Sequence, residues 1–334
     1  MINSSPLRDR FGRRVRYLRV SVTDRCNLRC LYCVPNDEPL PMLDHHDILS
    51  YEEIIRVTED LLPLGIDKIR LTGGEPLVRR NIDYLVSRLN NLVGIEDVSM
   101  TTNGVLLAEM AGRLKDAGLR RINVSLDTLR ADKFAYITRR DFFQRVMAGI
   151  ETALTLGFSP VKINVVAIRG FNDDEILDFA VLARRLQVQV RFIEYMPIGE
   201  STNWQADQLI PVAEIKKRIE EEYGALKPVR GQESTGPAEL FGFQDGGGYI
   251  GFVSALSNHF CAQCNRVRIT ADGRLRPCLF SDLEYDLKAL LRRGGDSEAV
   301  RALFLEAVAH KPSGHGISCN AVRKCVRVMS TIGG

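Results

Sequence analysis

Tyr17-Leu18-Arg19-Val20-Ser21-Val22-Thr23-Asp24-Arg25-Cys26-Asn27-Leu28-Arg29-Cys30-Leu31-Tyr32-Cys33 joins an alternating apolar and polar run to three thiols held within eight residues. In a strand, alternate residues share a face, so Leu18, Val20 and Val22 point one way and Arg19, Ser21 and Thr23 the other. Strand-like runs recur at 68–72, 97–102, 121–127, 161–168 and 189–196, separated by helical patterns over 51–62, 81–92, 106–117, 142–156 and 173–186. Ser50, two residues before Glu52, and Asn172-Asp173, ahead of the stripe Ile176, Leu177 and Ala180, supply helix-entry chemistry. Strands alternating with helices predict a parallel sheet with right-handed crossovers. Six units fall short of the eight that close a barrel. The expected fold is therefore α/β: a partial, open-sided (β/α)6 TIM-like barrel with a C-terminal extension. An antiparallel sheet wetted on one face also alternates, but the regular helical spacers argue against it.

The polar members of these strands fall in one phase: Arg19, Ser21 and Thr23; Arg70 and Thr72; Ser99, Thr101 and Asn103. Asn123, Ser125 and Asp127, then Lys162 and Asn164, continue it. Leu18, Val20, Ile69, Leu71, Ile122, Val124, Ile163 and Val165 take the other phase and are expected beneath the helices. Ordinary barrels fill their interior with Val, Ile and Leu. A polar interior predicts a cavity for a charged ligand.

Composition sets the outer bounds. The chain has 334 residues, 45% hydrophobic and 26% charged, the usual make-up of a globular protein. A net charge of +3 is too small to argue for nucleic acid. Neither a secretory apolar core near the start nor a bilayer-length apolar run is present in the sequence. Eight cysteines in so long a chain point to metal in a reducing compartment rather than a disulfide scaffold. A cytoplasmic protein is expected, with a barrel over 10–235 and a C-terminal region over 236–334. In the latter part we expect a charged helix within 206–223 and a Gly-, Ser- and Pro-rich connector over 231–248. A hairpin turning at Gly273, helices over 282–292 and 297–309, and a tail ending Ile332-Gly333-Gly334 should follow.

A closed four-iron cube takes one protein thiolate per iron, so Cys26, Cys30 and Cys33 alone would leave one iron open to a small molecule. A structural zinc wants four ligands, for which His45 or His46 could serve as the fourth. A redox pair needs only two thiols. The second trio, Cys261, Cys264 and Cys278, is open to the same choice between a cluster and a zinc knuckle completed by His259. Cys319 and Cys325 have no partners at ligand spacing and read as incidental thiols.

Gly73-Gly74-Glu75-Pro76 follows the second strand; its glycines allow close approach to the backbone, and Glu75 offers an acceptor to an amine. Arg266 and Arg268 share a strand phase directly after Cys264. Guanidinium forks match phosphate oxygens. With Arg19, Arg70 and Lys162 they suit a polyanion such as a nucleoside triphosphate; a basic hairpin facing solvent is the plainer alternative. The chain holds no Walker loop and no Rossmann fingerprint.

Cys-x3-Cys-x2-Cys after the first strand, with Gly-Gly-Glu-Pro after the second, resembles the radical S-adenosylmethionine superfamily. Leu18-Arg-Val-Ser-Val-Thr-Asp-Arg-Cys26, Lys162-Ile-Asn-Val-Val166 and Arg169-Gly-Phe-Asn-Asp173 are more particular. Together with Cys261-x2-Cys-Asn-Arg-Val-Arg268, Cys278 and the terminal Gly-Gly, they resemble the molybdenum cofactor biosynthesis protein A family of GTP 3′,8-cyclases over nearly the whole chain.

The resemblance implies two [4Fe-4S] clusters, one on Cys26, Cys30 and Cys33 and one on Cys261, Cys264 and Cys278. It places S-adenosylmethionine among Tyr32, Gly74, Ser125 and Met196, beside Glu75. GTP would be bound by Arg19, Arg70, Thr101, Lys162, Arg266, Val267 and Arg268. The implied reaction begins with a 5′-deoxyadenosyl radical that takes hydrogen from C3′ of GTP. The C3′ radical then attacks C8, giving (8S)-3′,8-cyclo-7,8-dihydroguanosine 5′-triphosphate, the first step of molybdenum cofactor synthesis. Implied partners are an electron donor of flavodoxin or ferredoxin type, a functional link to cyclic pyranopterin monophosphate synthase, and a second copy in a homodimer. Neither nucleic acid nor membrane is implied. Val34 and Val328 depart from a common Met and Pro, and the Gly-Gly tail would thread toward the site. Two rivals remain: a peptide-modifying radical enzyme, which would carry more C-terminal cysteines, and a zinc-stabilised nucleic-acid module using Arg266, Arg268 and Arg274.

Overall fold

Three features of the first strand run settle the architecture: a buried apolar phase, a polar phase facing a lumen, and a loop leaving at its C-terminal end. In the computed structural model, which describes residues 6–34, 42–199, 204–229, 236–317 and 325–333, strands and helices alternate as expected. They run β1 (Tyr17–Ser21), α1 (Tyr51–Leu61), β2 (Lys68–Thr72), α2 (Ile82–Asn90), β3 (Asp97–Thr102), α3 (Leu107–Asp116) and β4 (Arg121–Ser125). Two helices, α4 (Ala131–Thr138) and α5 (Phe143–Thr155), lead to β5 (Val161–Ala167), α6 (Ile176–Leu186) and β6 (Gln189–Glu194). The remainder is α7 (Val212–Tyr223), β7 (Lys227–Pro228), β8 (Glu239–Gly242), β9 (Tyr249–Val253), β10 (Arg266–Ile269), β11 (Arg274–Arg276), β12 (Tyr285–Asp286), α8 (Leu287–Arg292), α9 (Ser297–Ala309) and α10 (Met329–Ile332).

The strands form one open sheet in the order β12-β11-β10-β1-β2-β3-β4-β5-β6-β9-β8-β7. From β10 through β1–β6 to β9 every pairing is parallel. The six expected barrel strands stand in sequence order. The C-terminal region then adds β10 beside β1 and β9 beside β6, each extended by an antiparallel hairpin. Both regions thus share one sheet.

Leu18, Val20, Ile69, Leu71, Ile122, Val124, Ile163 and Val165 are buried under the helices as their phase requires. α1 opens on Ser50, whose hydroxyl accepts from the Glu53 amide at 3.1 Å while Glu53 accepts from the Ser50 amide at 2.7 Å. The reciprocal partner is Glu53, three residues on, rather than Glu52. Asn172 does not cap a helix. Its amide instead donates to the Asp127 and Val166 carbonyls at 2.6 and 2.8 Å, tying the ends of β4 and β5 together.

Other differences have local causes. Pro211, with no N–H to give, delays α7 to Val212, and 206–208 forms only a 3-10 turn. Within 231–248, Leu240 and Phe241 are buried on β8, which pairs with β9. Residues 282–286 are not helical: Tyr285 and Asp286 pair with β11, and the Asp286 carboxylate caps α8 by accepting from the Ala289 amide at 2.9 Å. Among the described residues no helix is long and apolar enough to cross a membrane.

Candidate active site

The strand ends surround a cavity of about 550 Å³. Both cysteine trios line it, as do Arg19, Arg70, Thr101, Asn123, Ser125, Asp127, Lys162 and Asn164 from the polar phase. Tyr32, Gly74, Met196, Arg266 and Arg268 complete the expected residues found on the wall. Glu75 and Val267 are not among them.

Val267 sits in the apolar core opposite Leu18. Glu75 is wholly buried: its carboxylate accepts from the Leu77 amide at 3.0 Å, the Thr102 hydroxyl at 2.7 Å and the Asn103 amide at 2.6 Å. Burial pushes this carboxyl up to about 7 against those donated bonds. The group expected to receive an amine is therefore spent on holding the β3 exit.

The neighbouring glycines act on the same scale. A Cβ on Gly74 would lie 2.4 Å from the Arg25 carbonyl oxygen, and one on Gly73 2.5 Å from that of Thr23. Two backbones therefore press together, with the Gly74 and Glu75 amides donating to Thr23 and Arg25 at 2.8 Å each. The glycines admit the cysteine loop itself.

That loop is steadied from its other side by α4. The Arg29 and Leu31 amides donate to the Thr138 and Ile137 carbonyls at 3.0 and 2.9 Å, and the Arg139 guanidinium donates to Val34 at 2.6 Å. Tyr32 donates its hydroxyl to Asp127 at 2.6 Å, and burial pushes that carboxyl up to about 6. Burial likewise raises Cys30 and Cys33, and the protein around Cys26 pushes its thiol up to about 11.

In the second trio burial also raises Cys261, but Cys264 has an opposite electrostatic setting. Burial alone would raise Cys264, but Arg266 and Lys311 beside it bring the thiol down to about 6. Lys311, itself buried, donates to the Arg266 and Pro277 carbonyls at 2.8 and 2.7 Å. Arg13 reaches from the N-terminal segment to the Cys261 carbonyl at 2.8 Å.

Neither trio brings its three sulfurs all within 4.8 Å of one another, alone or with a described histidine. A single zinc, with bonds of about 2.3 Å, would gather them to about 3.8 Å apart. A cube distributes its ligands over separate irons. In this structure neither trio is gathered as a single zinc would gather it.

The cationic wall is broader than expected. Arg191 on β6 and Arg121 on β4 line the cavity beside Lys162. Their signal was present in the sequence: Arg191 stands between Val190 and Phe192, both buried on the helix side. Burial and the neighbouring Arg70 and Arg121 push Arg191 down to about 9. Lys162 falls to about 6 through burial and repulsion from Arg191, Arg121 and Arg70. The Arg70 Nε donates to the Tyr17 hydroxyl at 2.5 Å and its Nη1 to Thr101 at 3.2 Å. Burial pushes Arg268 down to about 10, and its guanidinium donates to the Gly333 carbonyl. The described end of the tail thus reaches the cavity. Cys319 and Gly334 lie outside the described residues; Cys325 is buried against Arg276.

A partial parallel barrel whose first loop presents three cysteines to its lumen defines a radical S-adenosylmethionine protein, and residues 20–183 match the Radical SAM superfamily model. Residues 188–317 match the model for Molybdenum Cofactor Synthesis C. GTP 3′,8-cyclase of Thermodesulfovibrio yellowstonii is 48% identical over 98% of this chain and 100% of its own length. That of Moorella thermoacetica is 49% identical over the same shares. The chain belongs to the GTP 3′,8-cyclase family. Among solved structures, Streptococcus suis SuiB bound to S-adenosylmethionine shares the fold, with a TM-score of 0.61 at 13% identity over 86% of this chain and 67% of SuiB.

Proposed function

We propose that this chain converts GTP to (8S)-3′,8-cyclo-7,8-dihydroguanosine 5′-triphosphate, the first step of molybdenum cofactor synthesis. One observation carries the reading: two cysteine trios and a set of cations share a single cavity. Cys26, Cys30 and Cys33 would hold a [4Fe-4S] cluster with S-adenosylmethionine, and Cys261, Cys264 and Cys278 a second. The bound cofactor supplies one-electron cleavage of a sulfonium and a radical able to take hydrogen from unactivated carbon.

The chain's own residues bind, orient and exclude water. Tyr32, Gly74, Ser125 and Met196 would bound the S-adenosylmethionine end of the cavity, with Asp127 fixing the Tyr32 ring. Arg19, Arg70, Thr101, Lys162, Arg266 and Arg268 would take the triphosphate and base, and Arg121 and Arg191 add to that field. Cations converging on a polyanion fix its ribose relative to the cofactor, and selectivity comes from that placement. Barrel residues 10–235 would thus serve the cofactor, and residues 236–334 would close the substrate end.

Anaerobic incubation of reconstituted protein with GTP, S-adenosylmethionine and dithionite should yield 5′-deoxyadenosine and the cyclic nucleotide in equal amounts. Formation of 5′-deoxyadenosine with no cyclic product at any GTP concentration would reject the substrate assignment.

A further inference from the structure

Arg276 is wholly buried, yet it is neither a cavity cation nor a thiol ligand. It stands directly across the β10–β11 ladder from Arg268, and cross-strand partners share a face. Its Nη2 donates to the Ser281 and Leu279 carbonyls, bonds that shape the loop following Cys278. The same nitrogen donates to the Cys325 sulfur at 3.2 Å. Its Nη1 pairs with Glu284.

Glu284 also accepts from Arg327 at 2.8 Å, and Arg327 forks onto Asp272 at 3.0 and 2.9 Å. Asp282 accepts from the Val326 amide at 3.1 Å. A chain of alternating charges therefore runs from the β10–β11 turn through the post-Cys278 loop to the C-terminal segment. The last described residue of that segment, Gly333, accepts from Arg268. Only Arg276 of this set is fully buried, and removing one of its partners leaves that charge less well compensated.

We infer that Arg276 is a positioning residue that couples the docking of the C-terminal segment to the second metal site. Both the loop carrying Cys278 and the first residues of the segment rest on one guanidinium, so displacing either loosens the other, and the coupling is reciprocal. A lysine keeps the charge but cannot serve this many acceptors from one plane. The inference rests on the second trio holding a cluster.

The test uses full-length reconstituted wild type, Arg276→Lys and Arg327→Ala. Backbone hydrogen exchange is read over 325–333, and the spectrum of the reduced clusters by electron paramagnetic resonance before and after GTP. Both variants should speed exchange of the segment by roughly tenfold or more. Both should also change the spectral shift that GTP produces, although Arg327 touches no cysteine of either trio. Should Arg276→Lys lose its second cluster outright, Arg327→Ala carries the same test. Wild-type exchange in both variants, or faster exchange with a wild-type GTP-induced shift, would overturn the coupling. A wild type holding about four irons with no GTP-induced shift would instead remove the two-cluster reading, and the coupling with it.

Discussion

At the scale of single residues the site is governed by how many like charges a buried wall tolerates. Lys162 on β5 faces Arg191 on β6, Arg121 on β4 and Arg70 on β2, with Asp97 on β3 as the opposing carboxylate, and sits at about 6. At pH 7.5 the amine of the free protein is mostly neutral. A triphosphate restores its charge, because an opposite charge nearby favours the protonated form. GTP binding at pH 7.5 should therefore take up about one proton per site, and the uptake should fade as pH drops below 6. Calorimetry in buffers of different ionisation enthalpy measures it, and Lys162→Met should abolish it. Equal uptake in wild type and variant would contradict the assignment.

The element that decides the first metal site is α4, which periodicity did not announce. It is short, has no side-chain N-cap, and stops where Arg139 turns left-handed at φ 53°. Its C-terminal end serves the cysteine loop as an edge serves a strand, through the Thr138 and Ile137 carbonyls and the Arg139 guanidinium. Losing a charge-assisted bond of this kind costs about 1–3 kcal/mol locally. Arg139→Ala should therefore shed iron from the first site and slow 5′-deoxyadenosine formation measured without GTP. The GTP-induced spectral shift of the second site should persist. Undiminished 5′-deoxyadenosine formation would show that the loop stands without this clamp.

Across the whole molecule, the C-terminal region adds a strand to each edge of the barrel sheet and brings its cysteines to the same cavity as the first trio. About eight irons per chain are expected after anaerobic purification. Replacing Cys261, Cys264 and Cys278 together by Ala should leave about four. Cleavage of S-adenosylmethionine by strong reductant should survive in that variant while the cyclic nucleotide disappears. Stoichiometric zinc in the wild type would contradict both assignments.

The repeating strand–helix grammar, the split of each strand into core and lumen faces, and the spacing of both cysteine trios were written in the sequence. Periodicity and ligand spacing are local quantities, and they carried the fold class and most of the wall. Glu75, Val267 and Arg276 were decided only by the tertiary structure. Whether a carboxylate meets a ligand or three of the protein's own donors, and whether an arginine faces a cavity or a distant loop, depends on segments far apart in the chain. Burial and partner choice are properties of the packed molecule, and no spacing along the chain encodes them.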